Sequence, residues 1–161
     1  LFEQVGTWKN RKQIKELRSI LKWASLLHEI GIVINHNGVN RHSAYIISHI
    51  DLPGFDAEQK NLLALLMRFH LKGFNRSDIR STNRFQHRDI LTLLRLFRLA
   101  VLLNRSRQAT LVPQHLQLTI QQHEWHLTFE PDFLRLNPLV SADLEEERRW
   151  LEPLGLSLQY Q

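Results

Sequence analysis

Ile14, Leu17, Leu21 and Ala24 recur at spacings of three and four, with Lys12, Lys15, Arg18 and Lys22 mostly on the opposite side. This period predicts an amphipathic helix from Trp8 to Ile30, stopped by Gly31. Asn35-His36-Asn37-Gly38 reads as a loop, Arg41 to Ile50 as a short helix and Asp51-Leu52-Pro53-Gly54-Phe55 as a turn. Asp56 followed by Gln59 matches a capping box, opening a helix that is expected to reach Leu71 and close at Gly73. Residues 74–87 are a polar, basic connection. Ile90 to Leu103 is apolar almost all round, which predicts a buried helix.

The period then changes from helical to alternating. Leu116, Leu118 and Ile120 alternate with polar residues, as do Trp125, Leu127 and Phe129, and the two runs predict a β-hairpin. Ser141 to about Leu151 reads as an acidic helix, and Leu156, Leu158 and Tyr160 as a closing strand. Trp125 and Trp150 are expected in the core. The fold class expected is α+β: a mostly helical domain over 1–108, then a small ββαβ antiparallel-sheet domain over 109–161. The boundary falls near Ala109–Pro113.

Composition narrows the function classes. The 161 residues are 43% hydrophobic, enough for a core, and no window approaches 18 uninterrupted apolar residues. The absence of Cys removes disulfides, thiolate nucleophiles and Cys-ligated zinc, and fits a reducing compartment. A cytoplasmic location is expected, with peripheral membrane association left open. The chain opens at Leu1-Phe2-Glu3-Gln4, with neither a starting Met nor a signal-peptide pattern, and is expected to be a piece of a longer protein.

Charge is concentrated in the middle. Residues 1–67 carry a net charge of +2, residues 68–107 carry +8 and residues 108–161 carry −5. A basic block of this density suits a polyanion such as nucleic acid, an anionic membrane or a polyphosphorylated ligand. The alternative is a solvated helix face. Arg88, Arg95, Arg98 and Arg105 fall at spacings of seven, three and seven, on one stripe of the apolar helix. Such a stripe needs solvent, acids or an anion opposite it. His28, His36, His42, His49 and His70 lie within 43 residues, with Glu29 beside His28. They could bind a metal, but His28 continues an apolar helix face, where a core histidine bonded to backbone is the plainer reading. His42, beside Arg41, could instead donate to phosphate.

Leu26-Leu27-His28-Glu29-Ile30-Gly31 resembles the His-Asp-centred helix of the HD phosphohydrolase superfamily. Three departures argue that its metal chemistry is lost. No His precedes His28, the Asp of the pair is Glu29, and the late Asp would fall in the acid-free run Arg98-Leu99-Ala100-Val101-Leu102-Leu103. A fuller resemblance covers nearly the whole chain. His28-Glu29-Ile30-Gly31, Asn35-His36-Asn37-Gly38, Arg41-His42-Ser43-Ala44-Tyr45, Asp51-Leu52-Pro53-Gly54-Phe55, Arg68-Phe69-His70 and the run Leu96 to Asn104 are similar to the C-terminal region of bacterial exopolyphosphatases. That family also contains guanosine pentaphosphate phosphohydrolases. The His-Glu pair, the Asn-His-Asn-Gly loop and Arg-His-Ser favour the exopolyphosphatase branch.

The resemblance implies a homodimeric hydrolase whose upstream domains have the actin-like ATPase fold, hold Mg²⁺ and cleave the terminal phosphate of polyphosphate. The present chain would then be the non-catalytic part, inactive alone, with an HD-like helical domain and no metal or cofactor of its own. Its partners would be inorganic polyphosphate, a second copy and the upstream domains, with no DNA or RNA. The anion contacts expected are Arg41 and His42, then His70 and Lys72, then Arg76, Arg80, Arg84 and Arg88. The rivals are the guanosine pentaphosphate enzyme, a metal-dependent HD hydrolase and a nucleic-acid-binding module.

Overall fold

A computed structural model describes residues 1–6, 8, 10–106, 112–122 and 124–161. The described residues form two units, one of residues 8–98 and one of residues 1–7 with 99–161. The sequence boundary expected near Ala109–Pro113 falls largely outside the described residues.

In the first unit, α1 (Arg11–Leu27) starts where the Asn10 side chain accepts from the Gln13 N–H at 2.9 Å. It buries Leu17, Ile20 and Ala24. After a 3-10 turn at Ile30–Val33, α2 (Val39–His49) begins at Gly38, whose φ of 79° suits glycine. The capping box forms as expected: Asp56 accepts from the Gln59 N–H at 2.9 Å, and the Gln59 side chain accepts from the Asp56 N–H at 3.1 Å. It opens α3 (Ala57–Phe69), against which α1 and α2 both pack. Leu62, Leu63, Leu66 and Met67 of α3 are buried.

The end of α3 differs from expectation. The helix stops at Phe69, and the left-handed residue is Lys72, with φ 64°, rather than Gly73. Next comes a loop pinned by buried Phe74, Ile79 and Phe85, and then α4 (His87–Leu103). Residues 90–99 of α4 are buried apart from Thr92, Arg95 and Arg98 included, so the buried helix read from the sequence is present.

In the second unit, β1 (Gln117–Gln121) and β2 (Glu124–Thr128) pair antiparallel, with Gln117 opposite Thr128 and Gln121 opposite Glu124. The hairpin bends at Gln122, whose φ is 53°; His123 lies outside the described residues. Two helices follow, α5 (Phe133–Leu136) and α6 (Pro138–Leu151), the second starting earlier than Ser141 because Pro138 fits a first turn. Strand β3 (Ser157–Tyr160) then lies parallel to β2, Trp125 opposite Leu158. The ββαβ order stands, but the sheet is mixed rather than antiparallel. The helical crossover turns the chain back before β3, and such a return yields a parallel neighbour. Trp125 is buried, whereas Trp150 is 38% exposed and does not join the core. On the N-terminal stretch, the Gln4 side chain donates to the Leu116 carbonyl at 3.1 Å.

Gly31 leaves no room for a side chain. A Cβ there would stand 2.4 Å from the Ser43 nitrogen and from the Val39 carbonyl oxygen, both backbone atoms. Gly31→Ala should therefore destabilise the chain by about 2–3 kcal/mol in urea unfolding, as overpacking does. Gly6→Ala, with open space around its Cβ, should stay within about 0.5 kcal/mol of the parent. Equal stability of the two variants would show that the contact is slack.

Candidate functional site

The start of α2 is held by a hydroxyl. Ser43 is fully buried; its Oγ donates to the His28 carbonyl at 2.7 Å and accepts from the Gly31 N–H at 2.9 Å. One side chain thus joins the end of α1, the 3-10 turn and α2. In the loop before α2, the Asn37 N–H donates to Asn35 Oδ1 at 2.8 Å. Arg41 is exposed and its guanidinium lies back over Gly38, where an added Cβ would meet it at 3.0 Å. His42 is half-buried in the same turn.

The end of α3 is held by three side chains. A helix leaves its last carbonyls without partners from the helix itself. Here the His70 ring Nδ1 lies 2.7 Å from the Met67 carbonyl. Since a carbonyl only accepts, that nitrogen carries the proton. The Asn40 Nδ2 donates to the Arg68 carbonyl at 2.7 Å. One Arg98 nitrogen donates to the Phe69 carbonyl and, at 2.8 Å, to the Lys72 carbonyl. The Arg98 guanidinium also lies 5.6 Å from the Phe74 ring centroid. This arrangement holds Lys72 in its left-handed conformation and leaves its side chain exposed.

His70 itself is buried, 5.5 Å ring to ring from both His28 and Phe97. Burial pushes its pKa down to about 4; the Met67 carbonyl opposes this, while nearby His28 and Arg98 add to it. It is a neutral core histidine at pH 7. His28 likewise points Nδ1 at a carbonyl, that of Ser25, at 2.9 Å. Among the described residues, no three His, Asp or Glu side chains gather as a metal-holding group.

The basic loop divides. Arg76 and Arg80 are exposed, on a turn in which the Asn75 N–H donates to Asp78 Oδ2 at 3.0 Å. Arg84 instead reaches back to the rest of the unit. It pairs with Asp56 at the start of α3 and with Glu16 of α1, its Nε donating to Glu16 at 3.1 Å. The Gln59 N–H, and then Arg84, hold the Asp56 carboxyl below the usual carboxylate range. Arg88 is exposed in the first turn of α4, and the neighbouring His87 ring Nδ1 donates to the Ile79 carbonyl at 2.8 Å.

Of the residues singled out from the sequence, Arg41, His42, His70 and Lys72 therefore flank one joint, where the first turn of α2 meets the end of α3. Arg76 and Arg80 continue from it along the loop. Arg84 lies with carboxylates at the other end of α3, and Arg88 begins the next helix. Sequence reasoning missed Asn40 and named Ser43 only within its motif, without a role; their partners lie 28 and 12–15 residues away. The one signal at hand was two small polar residues inside the first turns of a helix, beside Arg41 and His42. Arg98 was seen on the arginine stripe, but its acceptors are backbone carbonyls.

A family model described as Ppx/GppA phosphatase, domain III, matches residues 1–148. The chain belongs to the Ppx/GppA family. Its relatives include the guanosine-5'-triphosphate,3'-diphosphate pyrophosphatases of Vibrio atlanticus, 34% identical over 98% of this chain and 31% of the relative, and of Vibrio cholerae, 33% identical over the same shares. That of Vibrio vulnificus is 34% identical over 86% of this chain and 27% of the relative. The chain thus spans about a third of the length of the curated Ppx/GppA relatives it matches. No helix among the described residues is long and apolar enough to cross a membrane.

The His70 shift has a definite sign. Its folded pKa of about 4 lies below the ordinary 6.5, so between these values the unfolded chain binds the extra proton. Stability is full above about pH 6.5 and falls as pH drops toward 4, by about 3 kcal/mol from this group. Urea unfolding at pH 7 and pH 4.5 should show that loss in the parent and a much smaller one in His70→Gln. The same pH slope in both would mean that His70 is not held neutral.

Proposed function

We propose that this chain is the part of a Ppx/GppA-family phosphatase that holds a long polyphosphate chain while upstream domains hydrolyse its end. The observation that carries the reading is the joint between α2 and α3, where exposed Arg41 and Lys72 and half-buried His42 sit on backbone fixed by buried donors. Arg76, Arg80 and Arg88 extend the cationic surface along the following segment. Arg forks suit phosphate oxygens, and Lys supplies a point charge. Identical phosphates let such a row hold the chain at any register, so the chain can slide as it shortens.

His70 and Arg84 enter the proposal differently. A buried, neutral His70 contributes by fixing the turn that presents Lys72. Arg84, already paired with Glu16 and Asp56, fixes the loop that carries Arg76 and Arg80. The chain alone is proposed to lack hydrolase activity and to take no metal; Mg²⁺ and the catalytic acid belong upstream. The working molecule is proposed to be a cytoplasmic homodimer.

A second reading is guanosine pentaphosphate as the substrate of the whole protein, which the names of the Vibrio relatives favour. Polyphosphate is one unbroken run of phosphates, whereas guanosine pentaphosphate divides its phosphates between a 5'-triphosphate and a 3'-diphosphate, so run length separates them. Long-chain polyphosphate should bind the purified chain with a steep salt dependence, and more tightly than guanosine pentaphosphate. Arg41→Ala and Lys72→Ala should each weaken it roughly three- to tenfold at low salt and flatten the log–log salt slope by about 0.7. Tighter binding of guanosine pentaphosphate would move the assignment to the second reading. Unchanged affinity and slope in both variants would remove the site.

A further inference from the structure

We propose that Asn40 is a positioning residue that couples two groups of anion contacts, Arg41 with His42 on α2 and Lys72 at the end of α3, so that a phosphate chain engages both at once. The inference rests on the polyphosphate-holding reading above and goes beyond it by assigning the coupling to one buried amide.

Asn40 is 7% exposed, directly precedes Arg41, and donates its Nδ2 to the Arg68 carbonyl at 2.7 Å. That carbonyl belongs to the last turn of α3, four residues before Lys72. The carbonyls on either side of it are taken by His70 and Arg98, and Arg98 also takes that of Lys72. The backbone between Arg68 and Lys72 is thus held as one piece, and Asn40 is the side chain of α2 that grips it. Without that grip, water would satisfy the Arg68 carbonyl, but α2 would lose its hydrogen bond to the α3 end. Two cation groups at a fixed separation bind a chain with the advantage of effective concentration, whereas two loosely related groups bind as separate weak sites. An amide suits the role. It offers a donor to the carbonyl without a charge, whereas a carboxylate would set oxygen against oxygen and draw the neighbouring Arg41 inward.

The test uses the 161-residue chain, with long-chain polyphosphate as the spanning probe and pyrophosphate as the short one. Asn40→Ala should weaken the long chain five- to tenfold and leave pyrophosphate within twofold. Lys72→Ala should cost clearly less long-chain affinity in the Asn40→Ala background than in the parent, because the advantage it removes is already gone. General loosening of the fold would lower the melting temperature without that non-additivity. Asn40→Ser, which keeps a donor on a shorter arm, carries the same comparison if Asn40→Ala does not fold. Parent-like long-chain affinity in the Asn40 variants, or losses that simply multiply, would overturn the coupling while Arg41→Ala and Lys72→Ala still report the anion surface. If those two variants also bind like the parent, both the surface and the coupling fall.

Discussion

The last turn of α3 leaves carbonyl groups that the helix cannot satisfy, and most of what is distinctive in the first unit answers that need. Leaving such groups buried without partners costs on the order of 1–3 kcal/mol each. The donors come from three places in the chain: Asn40 on α2, His70 in the turn itself and Arg98 on α4. Asn40 and Arg98 tie two other elements to the same few ångströms of backbone, and His70 closes the turn from within. A charged donor such as Arg98 does this more strongly than a neutral one, and the Phe74 ring against its guanidinium makes burial tolerable. The helix end is thereby a junction, and its exposed residues inherit the junction's rigidity.

This need also divides the basic block. A net charge of +8 over residues 68–107 reads as one polyanion footprint, yet its arginines have separate fates. Arg98 works on backbone inside the first unit, and Arg84 closes an ion-pair set with Glu16 and Asp56. In the second unit Arg105 meets Asp143 at 2.8 Å. Besides the ion-paired Arg84 and Arg105, the described basic residues of this block that stay exposed are Arg68, Lys72, Arg76, Arg80 and Arg88, joined by Arg41 from earlier in the chain. The net charge of a segment thus overstates the cations it offers to a ligand, because long basic side chains also serve as donors for distant carbonyls and carboxylates.

What the sequence made legible was local. The capping box of Asp56 and Gln59 is a four-residue signal with a four-residue mechanism, and it forms as read. The alternation in β1 and β2 and the apolar surround of α4 are likewise carried by neighbours in sequence. Gly73 looked like the stop of α3 for the same local reason. The structure puts the left-handed residue at Lys72, because Arg98, 26 residues on, draws its carbonyl in. The strand order was legible too, but not the direction of β3, which depends on the path of the crossover. Trp150 was assigned by residue type, and its helix turns it 38% outward. At the site, the charged residues were visible in the sequence and the neutral ones that place them were not. Asn40 and Ser43 carry no charge, and each acts through a backbone atom that no pattern of side chains encodes.

Two histidines of the first unit meet beside the end of α3. His28 and His70 stand edge to face at 5.5 Å with Phe97 beside them. In such a pair, a metal would be one way to satisfy two ring nitrogens. Here the Nδ1 atoms of both rings face carbonyls of their own helices, those of Ser25 and Met67. Burial favours the neutral ring of His70, and the nearby Arg98 charge penalises a second positive charge there. His70 therefore stabilises the junction as a neutral, singly donating ring. Arg41 and Lys72 thus stand exposed on a junction whose buried histidine, His70, is neutral at pH 7.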